Sequence, residues 1–79
     1  MENNKLDKNK FYNLYPNPSE GVINVDGDYR YVEVYDISGR ILRKYEPEEI
    51  IDLTLYGNSF MLVRIVGELF EQTEKVLLK

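Results

Sequence analysis

The side chains of this chain that could do chemistry are carboxylates, lysines, serines and tyrosines, because it has no His and no Cys. That removes Cys/His zinc sites, thiol nucleophiles and any Ser-His-Asp triad. What is left for catalysis is a carboxylate pair or a Ser–Lys arrangement. The carboxylates concentrate around turn-forming residues: Asp26 and Asp28 flank a glycine, Asp36 precedes Ser38-Gly39, and Glu46, Glu48 and Glu49 surround Pro47, with Asp52 close behind. Loop acids of an acidic domain are ordinarily solvated, so the reading is a protein that is not an enzyme. Asp26-Gly27-Asp28 offers calcium two oxygen donors on a glycine-flexed loop. It lacks the further acidic positions of an EF-hand loop and reads as an Asp/Gly turn. No metal and no cofactor is expected.

The seven tyrosines offer a different chemistry. Tyr31 and Tyr35 share one strand face with Glu33 between them, and flat rings can stack on sugars. Aromatic residues are also favoured on a half-buried strand face for packing alone. Arg64 sits inside an otherwise apolar run, where it either pairs with an acid on a neighbouring strand or points to solvent.

The elements that must position these residues are short strands. From Phe11 onward, β-prone runs are broken by Gly, Pro, Asn and Asp about every eight to twelve residues, the signature of an all-β sandwich or barrel. The runs are Phe11–Tyr15, Val22–Val25, Tyr29–Asp36, Ile41–Tyr45, Ile50–Leu55 and Phe60–Val66. Pro16-Asn17-Pro18-Ser19-Glu20-Gly21 must turn, since two prolines restrict φ and remove two amide donors. Ser38-Gly39 is expected to close a tight hairpin, with a positive φ at Gly39. Gly67-Glu68 has the length of a second two-residue turn. Periodicity leaves Leu69–Lys79 open between helix and strand. The expected core is Ile23, Val25, Val32, Val34, Ile41, Ile51, Leu53, Val63, Ile65, Val76 and Leu78.

Composition sets the outer bounds. At 79 residues there is room for one domain. Ten basic against fourteen acidic residues, net −4, argue against sequence-independent nucleic-acid binding and against docking on anionic lipid. No apolar run approaches the ~20 residues that span a bilayer, so no direct membrane insertion is expected. With 43% apolar and 13% aromatic residues the chain can build a core. A domain this size nets only about 3–5 kcal/mol from it. Residues 1–10 are polar and aperiodic, and read as a flexible linker or the start of an excised fragment, with the folded domain at 11–79. Met1-Glu2-Asn3-Asn4-Lys5 does not have the pattern of a signal peptide.

Several runs taken together resemble a known family. Leu14-Tyr15-Pro16-Asn17-Pro18, then Gly21 and Ile23-Asn24-Val25, is similar to the opening of the C-terminal sorting domain of the type IX secretion system of Bacteroidota. Val32-Glu33-Val34-Tyr35-Asp36-Ile37-Ser38-Gly39-Arg40 resembles its central hairpin, and Ile51-Asp52-Leu53-Thr54-Leu55 the segment after it. Met61-Leu62-Val63-Arg64-Ile65 and Thr73-Glu74-Lys75-Val76-Leu77-Leu78-Lys79 resemble its last two blocks. The blocks run in order through residues 12–79. This chain has Ser59-Phe60-Met61 where the family usually opens its sixth strand with Gly-x-Tyr. The resemblance implies a seven-stranded, immunoglobulin-like antiparallel β-sandwich, and favours strand for Leu69–Lys79. It implies a non-catalytic secretion signal on an N-terminal cargo domain that is absent here. The cargo would pass through the periplasm and the outer-membrane translocon, with its associated shuttle protein, to the cell surface or beyond. A sortase-type peptidase would remove the signal. The residues expected to carry the signal are Pro16, Asn17, Pro18 and Gly21, then Asp36 and Gly39, then Lys75, Val76, Leu77, Leu78 and Lys79. Exposed strand edges would also allow weak pairing of two copies. The competing reading is a surface carbohydrate-binding or adhesive sandwich that uses the tyrosines.

Overall fold

The computed structural model describes residues 11–79. The linker expected over residues 1–10 lies outside the described residues. Among the described residues are seven strands: β1 (Asn13–Tyr15), β2 (Val22–Asp26), β3 (Tyr31–Tyr35), β4 (Ile41–Tyr45), β5 (Ile51–Asp52), β6 (Ser59–Val66) and β7 (Glu71–Leu78). They form two antiparallel sheets, ordered β1-β2-β5 and β4-β3-β6-β7.

Side-chain alternation builds the core. Val32 and Val34 of β3, Met61, Val63 and Ile65 of β6, and Val76 and Leu78 of β7 turn one face of the larger sheet inward. Ile23 of β2 and Ile51 of β5 come from the smaller sheet, and all join one buried cluster with Leu53. Each such side chain contributes about 1.5–3 kcal/mol when fully buried.

Several boundaries differ from expectation, each for a local reason. Phe11 and Tyr12 form a bend, and pairing starts only at Asn13. The third run is paired over Tyr31–Tyr35 alone, because Asp36 leaves the strand to organise the hairpin. That hairpin loop is Asp36–Arg40, five residues rather than two. A register shift between Val34 and Tyr35 sets Ile41 opposite Tyr35, on the outer face. Ile41 is therefore 50% exposed and not core, and Tyr45 fills the inner position instead. Val25 is half-buried and packs against the core from its margin.

The fifth run pairs only over Ile51–Asp52. The Asp52 carboxylate accepts the Thr54 N–H (3.0 Å) and the Thr54 hydroxyl (2.6 Å). This local capture competes with the ladder and starts a 3-10 turn, Thr54–Tyr56. Leu55 is left 85% exposed, while Leu53 stays buried. At the other end the register Val66↔Glu71 leaves a four-residue loop, Gly67–Phe70, not a two-residue turn. Leu69 and Phe70 belong to that loop, and the last segment is a strand from Glu71.

Candidate functional site

Sheet order leaves β7 with one side on β6 and the other at the sheet edge. An uncovered edge invites pairing with another chain. Here the chain's own first turn lies along it. The Asn17 side-chain amide donates through Nδ2 to the Lys75 carbonyl (3.0 Å) and accepts the Leu77 N–H at Oδ1 (3.1 Å). A carboxamide carries the same donor and acceptor as a peptide group, so Asn17 stands in for a strand residue.

Ser19 continues the seam with its backbone. Its N–H donates to the Leu77 carbonyl (2.8 Å), and its carbonyl accepts the Lys79 N–H (2.9 Å), making a parallel bridge to Leu78. Ser19 is itself buried; its hydroxyl accepts the Gly21 N–H and donates to the Val22 carbonyl, both at 2.9 Å. Pro16 and Pro18 flank Asn17, each on a cis peptide bond, and neither adds an amide donor needing a partner. Gly21 has φ +142°, and a Cβ there would run into the Thr54 methyl group. Its carbonyl accepts the Leu53 N–H (2.7 Å).

A second side-chain amide holds the same edge further up. Gln72 Oε1 accepts the N–H groups of Phe11 (2.8 Å) and Tyr12 (3.0 Å), while Nε2 donates to the Tyr12 carbonyl (2.9 Å). Sequence reasoning missed Gln72. Its only sequence signal is a polar amide at a position that alternates with Val76 and Leu78.

The structure thus brings Pro16, Asn17 and Pro18 together with Lys75, Leu77 and Lys79. Gly21 shapes the turn behind them. Val76 (0% exposed) and Leu78 (2%) point inward and are core residues. Asp36 and Gly39 stand apart, in the β3–β4 hairpin on the other side of the larger sheet. Asp36 Oδ1 accepts the Ser38 hydroxyl (2.6 Å) and the N–H groups of Ser38 and Arg40 (both 3.0 Å), and Oδ2 meets the Arg40 guanidinium (3.1 Å). The Ser38 hydroxyl first, then the Arg40 N–H, pull this carboxyl down to about 2. Gly39 has φ +94°, as the turn chemistry required.

The outer face of the larger sheet is an interlocked polar row. Arg64 pairs with Glu33 on β3 (2.8 Å) and with Glu71 on β7 (2.5 Å). Tyr35 donates its hydroxyl to Glu33 (2.8 Å), and that bond, with help from Arg64, holds the Glu33 carboxyl below its usual range. Lys44 Nζ lies 4.5 Å from the centre of the Tyr31 ring. At Ser59-Phe60-Met61, Met61 takes the buried position, and Phe60 turns outward to carry Lys75 Nζ at 4.5 Å. Asp26 accepts the Tyr15 hydroxyl (3.2 Å), and among the described residues there is no group of three or more acidic side chains that could hold a metal.

Fold and site define a small all-β module whose first turn is laced to its last strand. The family model of the secretion system C-terminal sorting domain matches residues 13–79. The chain belongs to that family, the sorting domains of type IX secretion. No curated protein matches the chain. Domains of this family are non-catalytic in general, engage the type IX secretion machinery, and direct export across the outer membrane. No helix among the described residues is long and apolar enough to cross a membrane.

Proposed function

We propose that this domain is the address that takes an N-terminal cargo through the type IX translocon, with hand-over by a shuttle protein and removal by a sortase-type peptidase. The observation that carries this reading is the family match over 13–79, nearly the whole described chain. The cargo then reaches the cell surface or the medium of a Bacteroidota cell. The sandwich is of immunoglobulin-like type, with residues 1–10 as the linker in which, or before which, cleavage falls.

The signal is read from Pro16, Asn17, Pro18 and Gly21, from the outward side chains Lys75, Leu77 and Lys79, and from the Asp36–Gly39 hairpin. Val76 and Leu78 serve it by keeping β7 in the core. The closed edge of β7 bears on how a receptor reads this block. Side chains of 75, 77 and 79 remain accessible, whereas several of their backbone groups are taken by Asn17 and Ser19. Strand pairing by a receptor, or by a second copy, is better supported at β4, whose outer side has no strand partner among the described residues. The carbohydrate-binding alternative has no observation in its favour, since Tyr31 and Tyr35 are engaged within the polar row.

The experiment is a secretion assay. The 79-residue chain is fused behind an export signal and a fluorescent reporter, in a type IX-competent bacterium and in a mutant lacking the translocon. Reporter outside the first and trapped in the periplasm of the second is the expected result. Trapping in both, with the fusion folded, refutes the reading. Replacing Lys75, Leu77 and Lys79 tests recognition better than deleting residues 75–79, because the deletion also strips Val76 and Leu78 from the core.

A further inference from the structure

Beyond the β7 seam, an open cavity of about 280 Å³ lies between the start of the described chain and the β6–β7 loop. Phe11, Tyr12, Leu69 and Phe70 form its apolar wall, and Asp28 and Glu68 supply two carboxylates. We infer that this cavity receives an arginine side chain presented by a partner protein. Naming that partner as part of the secretion machinery rests on the sorting reading above; the chemistry of the cavity does not.

The wall is preformed. Phe11 and Phe70 stack nearly parallel, with ring centres 3.9 Å apart and planes 5° apart. Tyr12 meets Phe11 edge-on at 6.5 Å. Gln72 pins the Phe11 and Tyr12 backbone, and the Tyr12 hydroxyl donates to the Phe70 carbonyl (3.2 Å). Gly67 leaves the space that hydroxyl needs, since a Cβ there would collide with it. The phenyl rings are thus held in place while still about half exposed (47% and 48%), and Leu69 is 82% exposed. Rigid apolar surface left open to water is what a docking site presents.

The charge pattern selects the occupant. Among the described residues, neither Asp28 nor Glu68 has an ion pair or a side-chain hydrogen bond. Asp26, Glu33, Asp36, Asp52 and Glu71 are all engaged. Among the described residues, no Lys or Arg lines the cavity. A ligand that is flat enough to lie on phenyl rings, and cationic enough to satisfy two carboxylates, is a guanidinium. The volume falls just below the ~300–1,000 Å³ of small-molecule sites, which suits one side chain of a larger partner.

The test is an NMR titration of the ¹⁵N-labelled 79-residue protein with N-acetyl-arginine methylamide, and in parallel with the norleucine analogue. Saturable shifts at Phe11, Tyr12 and Gly67–Phe70 are expected with arginine, with norleucine weaker by on the order of tenfold. The double variant Asp28→Asn/Glu68→Gln should lose a similar factor. Leu69→Lys, at an exposed position, should block binding by supplying its own cation, and the spectra themselves report that each variant is folded. No saturable shift, or equal binding of norleucine, overturns the inference. So does self-association that accounts for the shifts, because the arginine would then come from a second copy. In the secretion assay, export without arginine binding sinks this inference alone. Arginine binding without export leaves it standing and sinks the sorting reading.

Discussion

Replacing Asn17 with Ala removes two hydrogen bonds from the β7 edge and leaves the backbone of the turn unchanged. The lost bonds are Nδ2 to the Lys75 carbonyl (3.0 Å) and the Leu77 N–H to Oδ1 (3.1 Å). An intramolecular hydrogen bond is worth a net ~0.5–1.5 kcal/mol. Both lie at an exposed edge where water can replace the lost partner, so the sum belongs near the low end, roughly 1–2 kcal/mol. For a domain of this size each kcal/mol moves the melting temperature by about 4–8 °C, so a fall of roughly 5–15 °C is expected. Asn17→Asp is the informative second variant. Its carboxylate can still accept the Leu77 N–H, but it sets an oxygen against the Lys75 carbonyl, so it should not restore wild-type stability at neutral pH. The assay is thermal melting with guanidinium unfolding, in which the midpoint should fall at unchanged slope. A melting temperature for Asn17→Ala within about 1 °C of wild type would refute the peptide-mimic argument, as would full stability of Asn17→Asp.

Gly39→Val should destabilise through backbone strain alone, by roughly 1–3 kcal/mol, because φ is +94° and a Cβ there meets nothing within 4 Å; urea unfolding measures it. Ile65→Ala empties a fully buried site and should cost about 2–5 kcal/mol, a large part of the ~3–5 kcal/mol a domain of this size has, seen as a large fall in the urea midpoint. Asp36 has its folded value lowered to about 2, so its bonds stabilise the hairpin fully above the unfolded value near ~3.9 and are lost as pH falls through 2. Melts between pH 4 and pH 2 should therefore show an acid-induced loss that is smaller in Asp36→Asn; equal loss in both would refute it.

For recognition, the seam changes how variants of the proposed signal residues are to be interpreted. Asn17 and Ser19 take backbone groups of Lys75, Leu77 and Lys79 that a receptor would need for strand pairing. Asn17 and Ser19 thus have a structural duty whether or not a receptor touches them. A secretion defect in an Asn17 variant becomes evidence for recognition only when the melting temperature shows the domain still folded at the assay temperature.

What the sequence determined by itself was whatever rests on local chemistry. Alternation at Val32/Val34 and Val63/Ile65 gave the inner faces of β3 and β6, and the turn at Gly39 demanded the positive φ it has. The absence of His and Cys limited the available chemistry, and five blocks in order indicated the family. Tertiary structure decided what depends on residues far apart in the chain. The bulge at Val34/Tyr35, visible only once β3 and β4 are in register, moved Ile41 out of the core, while Tyr45, opposite Val32, stays in it. Asp52's grip on Thr54 outcompeted a ladder whose partner strand runs out after two residues. Most of all, the partnership of Asn17 with Lys75 and Leu77, and of Gln72 with Phe11 and Tyr12, spans about sixty residues. A hydrogen bond at that separation leaves no periodicity in either segment, because its geometry exists only after the two sheets have closed on their common core.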